Sequence, residues 1–169
     1  MAAPRVILFA AVTVGVVIMM MPRRSWAAPA AAGPYLDAFA AASREYGLPP
    51  DMLLRVAYQE SHFRPDIIDG TTISAAGAVG IMQIVPKWHP GVDPRDPVAS
   101  IWYAAKYLRT LRNQFGRWDL ALAAYNMGPG ALAAIDGNAG NGATVANLSS
   151  APAETRAYVQ QILGDVRVA

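Results

Sequence analysis

Residues 49–65 read PPDMLLRVAYQESHFRP, and the fold turns on how this stretch is parsed. Leu53, Leu54, Val56, Ala57 and Tyr58 fall mostly on one side of a 3.6-residue repeat, which predicts an amphipathic helix. Pro49 and Pro50 suit the first turn of that helix, and Asp51 suits the positive end of its dipole. Pro65 is expected to stop it. The helix therefore delivers Glu60 to its C-terminal end, where a negative charge is mildly unfavourable. Two readings of Glu60 follow: a solvated surface carboxylate, or a carboxyl group held at a site.

Working outward, residues Pro34–Tyr46 (PYLDAFAAASREY) carry apolar side chains at helical spacing, and Gly47 is a natural stop. Asp66–Gly80 reads as a loop of small and polar residues. Ile81–Val85 fits a short strand or a helical turn, closed by Pro86. His89–Pro97 holds three prolines and a glycine and is expected to be a loop. Pro97–Phe115 is a long amphipathic helix with Ile101, Ala104, Ala105, Leu108, Leu111 and Phe115 as its stripe. Asp119–Asn126 is a further helix, broken by Gly128-Pro129-Gly130, with a helical turn to Ile135. Gly137–Ser150 reads as a flexible loop. Pro152–Val168 is a last helix with Tyr158, Ile162 and Leu163 inward. There is no internal repeat and no convincing set of strands, so a single, mainly α domain is expected.

The chain has 169 residues, 54% of them apolar, enough for one domain with a real core. Its formal charge of +2 is an N-terminal effect, because Arg5, Arg23 and Arg24 lie in the first 24 residues. From Ala28 onward, 11 Lys/Arg stand against 12 Asp/Glu, a net of −1. That balance argues against a nucleic-acid binder. Cysteine is absent, so disulfide and thiolate chemistry are excluded. Two histidines, His62 and His89, are too few for a multi-histidine metal site, and no cofactor is expected.

Residues 1–28 have an export character. Arg5 precedes the uncharged run VILFAAVTVGVVIMMM, Val6–Met21, and Ser25 and Ala27 fit the small positions before a signal-peptidase cut. The 16-residue run is long for a cleaved signal and short for a spanning helix. Two arginines beyond it also oppose the usual orientation. A cleaved signal peptide and a retained inner-membrane anchor both remain open, as does a buried helix of a soluble protein. Either of the first two places the domain in the cell envelope, in the periplasm. Residues 29–48 are expected to be a linker followed by the leading helix, and 49–169 the catalytic domain. Within this scheme, Ala27–Gly33 is Ala/Pro/Gly-rich and reads as linker or frayed entry.

Four patches stand out in order. Glu60-Ser61-x-Phe63-x-Pro65 comes first, then Ser74-Ala75-Ala76-Gly77-Ala78-Val79-Gly80-Ile81-Met82-Gln83-Ile84-x-Pro86. Asp96-Pro97 and Tyr107-Leu108 lead to the third, Ala124-Tyr125-Asn126-x-Gly128-Pro129-Gly130, and Glu154-Thr155-x-x-Tyr158-Val159 is the fourth. In this order they resemble the lytic transglycosylase (SLT) domain, a relative of goose-type lysozyme, over Pro49 to Leu163. The resemblance implies a lysozyme-like α-helical domain with a glycan-binding cleft. It also implies cleavage of the β-1,4 bond between N-acetylmuramic acid and N-acetylglucosamine in peptidoglycan, leaving a 1,6-anhydromuramic end. Ser100 and Ala104 depart from the family's usual Asn and Gly.

Glycosidic cleavage needs a proton on the leaving oxygen while positive charge grows on the sugar. A carboxyl group can supply it if apolar surroundings raise its pKa. Glu60, where an apolar helix meets a Gly/Ala-rich loop, is the candidate catalytic acid. By the resemblance it then acts as base on the sugar's own 6-hydroxyl, with no second carboxylate. Ser74, Met82, Gln83, Tyr125, Asn126, Glu154 and Tyr158 are the expected substrate-binding residues. The spacing from Glu60 to Ser74 is a few residues longer than the family's, with Asp-Gly-Thr-Thr at 69–72 as the extra segment. Asp66 and Asp69 are the nearest second carboxylates, which a hydrolytic muramidase would need. A different alternative is a wall-docking component of a secretion system or phage assembly. Trp88, Trp102 and Trp118 read as packing residues more than sugar platforms, His62 as an exposed residue pointing away from Glu60, and His89 as part of a loop.

Overall fold

The computed structural model describes residues 26–135 and 148–166. A 3-10 turn, Ala30–Tyr35, leads into α1 (Leu36–Glu45). Then come α2 (Met52–Ser61), α3 (Pro65–Ile68), α4 (Pro97–Phe115), α5 (Trp118–Met127), α6 (Pro129–Ile135) and α7 (Ala153–Asp165). A second 3-10 turn, Leu148–Ser150, precedes α7. No strand is present among the described residues; Val79 and Ile84 form one isolated antiparallel bridge. The mainly α expectation therefore holds.

The centre of the domain is α5. Leu120, Ala121, Leu122, Ala123 and Ala124 are all fully buried, and α4, α6 and α7 pack around this helix. Its alanines let the neighbouring backbones approach closely, while Leu120 and Leu122 fill the spaces between them. α4 starts where the sequence indicates: Asp96 accepts the Ala99 N–H at 2.9 Å as its cap, and Pro97 takes the first helical position. At the other end Gly116 takes a left-handed conformation, φ 78°.

Several boundaries differ from the sequence reading. Pro49 and Pro50 lie before α2 in a turn closed by the Met52 N–H on the Pro49 carbonyl. Asp51 sits at the N-cap in a left-handed conformation, φ 64°, without a side-chain capping bond. α2 stops at Ser61, earlier than Pro65, because His62 and Phe63 are both left-handed, φ 50° and 54°. Ser61 supports the stop: its hydroxyl donates to the Ala57 carbonyl and accepts the Phe63 N–H. Pro65 instead opens α3, a short helix inside the expected loop.

The segment expected to be a linker is part of the packing. Ala32 is fully buried, and Trp26 and Ala28 pack on the core. The last helix runs one residue short of Pro152 at its start and ends at Asp165, with Val166 extended. The readings of residues 1–25, of 136–147 within the expected flexible loop, and of 167–168 at the end of the last helix lie outside the described residues. Among the described residues no helix is long and apolar enough to cross a membrane.

Candidate active site

A cleft of about 720 Å³ opens over the C-terminal ends of α2 and α5. Glu60, Ser74, Gln83, Tyr125 and Asn126 line it, with Trp88, His89, Tyr103 and Tyr107 along its wall. Glu60 is the one carboxylate among its described lining residues.

Glu60 reaches the cleft from the last turn of α2 and lies half-buried at its floor. Burial pushes its pKa up to about 7, against the opposing effect of one hydrogen bond. That bond comes from Tyr158 on α7, whose hydroxyl donates to Glu60 Oε1 at 2.7 Å. The same group of side chains includes Tyr125, whose hydroxyl donates to the Met82 carbonyl at 2.9 Å. Burial first, and then the charge of Glu60, keeps both tyrosines protonated far above neutrality. Glu60 thus keeps its proton well above the pH at which an ordinary carboxyl group loses it.

The loop before α4 forms the facing wall. The Val79–Ile84 bridge, with N···O distances of 3.0 Å both ways, pinches residues 80–83 into a tight turn. Ile81 and Met82 enter the core, fully buried. Gln83, left-handed at φ 47°, lines the cleft, and its Nε2 donates to the Gly80 carbonyl at 3.1 Å. Gly80 has φ 80°, and a Cβ there would meet the Pro94 carbonyl oxygen at 1.9 Å. Ser100, fully buried, donates to that same carbonyl at 3.3 Å, tying Pro94, against which Gly80 packs, to α4.

The expected residues divide accordingly. Ser74 lies at the cleft and its hydroxyl also accepts the Ala78 N–H at 2.9 Å, closing the small-residue loop. Asn126 lines the cleft, and its Oδ1 accepts from the buried Thr155 hydroxyl at 2.8 Å. Three of the residues expected to bind substrate are not among those lining the cleft: Tyr158, buried behind Glu60 and bonded to it, Met82 and Glu154. Met82 is not cleft surface: its side chain is buried in the core and only its carbonyl serves the site, by holding Tyr125. Glu154 is exposed in the first turn of α7, where a negative charge suits the helix dipole. Its neighbour Thr155 makes the inward contact.

The alternative carboxylates sit elsewhere. Asp66 is engaged by Arg64 and Thr72, and Asp69 by the Thr71 side chain and N–H; these bonds hold both below the usual carboxylate range. Neither lines the cleft. His62 is exposed, as expected.

The cleft's aromatic wall was not anticipated. His89 Nδ1 lies 2.8 Å from the Tyr103 hydroxyl, and its ring meets Tyr107 edge-on at 5.0 Å. Tyr107 in turn tilts against Tyr125 at 5.9 Å. Trp88, read as a packing residue, is 69% exposed at the cleft, with Lys87 Nζ 4.8 Å from its ring. Trp118 does pack in the core, and Trp102 meets Tyr46 edge-on at 6.3 Å. The i, i+4 pairing of Tyr103 and Tyr107 was the available signal.

Fold and site define a helical domain with one half-buried carboxyl group at the floor of an open cleft. Residues 37–147 match the family model described as the transglycosylase SLT domain, and the chain belongs to that family. It is similar to the membrane-bound lytic murein transglycosylase F of Cellvibrio japonicus, 37% identical over 106 residues, covering 57% of this chain and 20% of that protein. It is also similar to the soluble lytic murein transglycosylase of Salmonella typhimurium, 34% identical over 145 residues, covering 76% of this chain and 22% of that protein. The 70 kDa soluble lytic transglycosylase of Escherichia coli superposes with a TM-score of 0.60 at 31% identity, over 78% of this chain and 23% of that one. The chain thus spans about a fifth of the length of these relatives.

Proposed function

We propose that this domain cleaves peptidoglycan glycan strands as a lytic transglycosylase, with Glu60 as its single acid/base group. The observation that carries this reading is the half-buried Glu60 carboxyl, raised to about 7, as the sole carboxylate among the described residues lining the cleft.

In the first step protonated Glu60 gives its proton to the oxygen linking N-acetylmuramic acid to N-acetylglucosamine. The C–O bond breaks and an oxocarbenium-like centre forms on the muramic sugar. The substrate's own N-acetyl group supports that centre in place of a second carboxylate. Glu60, now a carboxylate, takes the proton of the muramic 6-hydroxyl as its oxygen attacks C1. A 1,6-anhydro ring closes, Glu60 is protonated again, and no water is consumed. Tyr158 stabilises the carboxylate between the two steps. Gln83 and Asn126 supply amides for the acetamido and hydroxyl groups of the strand.

The named relatives support this assignment, since all are lytic transglycosylases. A further structural neighbour, the lytic transglycosylase Slt of Pseudomonas aeruginosa, is an inactive mutant with one Glu replaced by Gln (25% identity, TM-score 0.55, over 78% of this chain and 23% of that one). The relatives' names include both membrane-bound and soluble forms, and we place this domain in the cell envelope, exported by residues 1–28 as signal or anchor. The test is mass spectrometry of the fragments the chain releases from purified peptidoglycan. Ends lacking one water are expected from the wild type and none from Glu60→Gln. Reducing ends would replace the proposal with a hydrolytic muramidase. Intact function in cells with no cleavage by folded protein would replace it with a wall-docking role.

A further inference from the structure

Arg55 is the buried charge that the acid–base mechanism leaves unused. It lies on α2 five residues before Glu60 and is only 4% exposed. Its Nη2 donates to the Gln161 carbonyl at 2.9 Å and pairs with Asp165 Oδ2 at 2.8 Å. Both acceptors belong to α7, where Tyr158, Gln161 and Asp165 follow at steps of three and four along one side. Its Nε is buried with no hydrogen-bond partner. Trp26 covers the guanidinium, 4.5 Å from the ring centre, and Tyr58 lies 5.4 Å away.

A buried arginine with one orphaned N–H is a costly way to join two helices; apolar packing would do it with less desolvation. What the guanidinium adds is direction. One nitrogen, Nη2, bonded at once to a main-chain carbonyl and to a carboxylate one turn further along α7, ties this point of α2 to a defined place on α7, which an apolar contact leaves free to slide. The Tyr158–Glu60 bond is made between these same two helices and depends on that placement.

We infer that Arg55 is a positioning residue that holds α7 in register on α2 and thereby sets the Tyr158–Glu60 contact, with Trp26 shielding it from water. The inference rests on the reading of Glu60 as the acid. It also makes the chain just after the N-terminal apolar run part of the support of the site, so a cut after Ala27 would remove a working residue.

The test is the pH–rate profile of the full chain on purified peptidoglycan. The titratable groups that bear on Glu60 are Tyr158 from α7 and Tyr125 from α5. Those that bear on Arg55 are Asp165 from α7 and Tyr58 from its own helix. Losing the Tyr158 donor disfavours ionised Glu60, so the basic limb should move to higher pH. Arg55→Met should show that movement, with kcat down about five- to tenfold and KM within about twofold. Tyr158→Phe should move the limb the same way, and the double variant no further. Trp26→Ala and Asp165→Asn should give a smaller shift of the same sign, and they carry the test if Arg55→Met does not fold. An unmoved limb in these variants, or shifts that add in the double variant, would overturn the positioning role even if melting temperatures fall. Glu60→Gln run alongside separates the two readings. If it cleaves, the acid assignment fails and this inference with it. If it is dead while the limb stays fixed, only the positioning role fails.

Discussion

Tyr158 and Glu60 stand 98 residues apart in the chain and 2.7 Å apart in space, hydroxyl to carboxylate oxygen. The bond favours the ionised form while burial favours the neutral one, and their balance leaves the pKa at about 7. Hydrogen bonds to charged groups contribute about 1.5–3 kcal/mol, and about 1.4 kcal/mol is one pH unit. Tyr158→Phe should therefore raise the pH at which activity falls on the basic side by roughly one to two units. A pH–rate profile checks this; an unchanged basic limb would mean the hydroxyl does not bear on the reacting carboxyl.

Glu60 also costs stability. Its folded pKa, about 7, lies above the 4.5 of an unperturbed side chain. The native state therefore holds a proton that the unfolded state releases between these values, and stability falls as pH rises from about 4.5 to 7. Glu60→Gln should stabilise the domain by roughly 3 kcal/mol at pH 8 and by little at pH 4. Thermal melts at the two pH values would show it; equal gains at both would contradict the assigned burial.

Thr155 donates to Asn126 Oδ1 at 2.8 Å, which fixes the rotation of the amide at the cleft; in the proposed reaction its N–H groups would serve a glycan acetamido oxygen. Thr155→Val removes that constraint without changing volume much. KM for peptidoglycan should rise about three- to tenfold with kcat nearly unchanged. A kcat loss at constant KM would move Thr155 from substrate placement to the chemical step.

Gly80 cannot accept a side chain. Alanine would add strain at φ 80° and a clash with the Pro94 carbonyl at 1.9 Å. Gly80→Ala should cost at least ~3 kcal/mol, measured by denaturant unfolding. A stability within ~1 kcal/mol of wild type would show that the 80–83 turn can shift away from Pro94.

Much of this arrangement was legible in order along the chain. Periodicity alone placed α4 and α5 to within about a residue or two, because their stripes are long and their caps local. Glu60, Ser74, Gln83, Tyr125, Asn126 and Tyr158 could be picked out as a set. Met82 and Glu154 could not be sorted from their neighbours, since inward and outward differ there by one residue. In the 80–83 turn the left-handed Gln83 sends Met82 to the core, and no local pattern announces a positive φ at glutamine. The wall of His89, Tyr103 and Tyr107 was missed for another reason. The stripe of α4 points at α5, whereas these tyrosines occupy a different side, covered only when the proline-rich loop folds across it. The packing of Trp26 and Ala32 was hidden the same way, behind a composition that reads as linker.

The abrupt end of α2 has a consequence for how this domain can change length. Each residue added to a helix turns everything beyond it by about 100° and advances it by about 1.5 Å. Glu60 is followed at once by Ser61 and two left-handed residues, so no slack lies between the acid and its stop. An insertion within α2 would swing the carboxyl out of reach of Tyr158. The same insertion beside the exposed Thr71, beyond the stop, would leave α2 and the Glu60–Tyr158 contact in place. Changes in chain length should therefore be tolerated only beyond the stop.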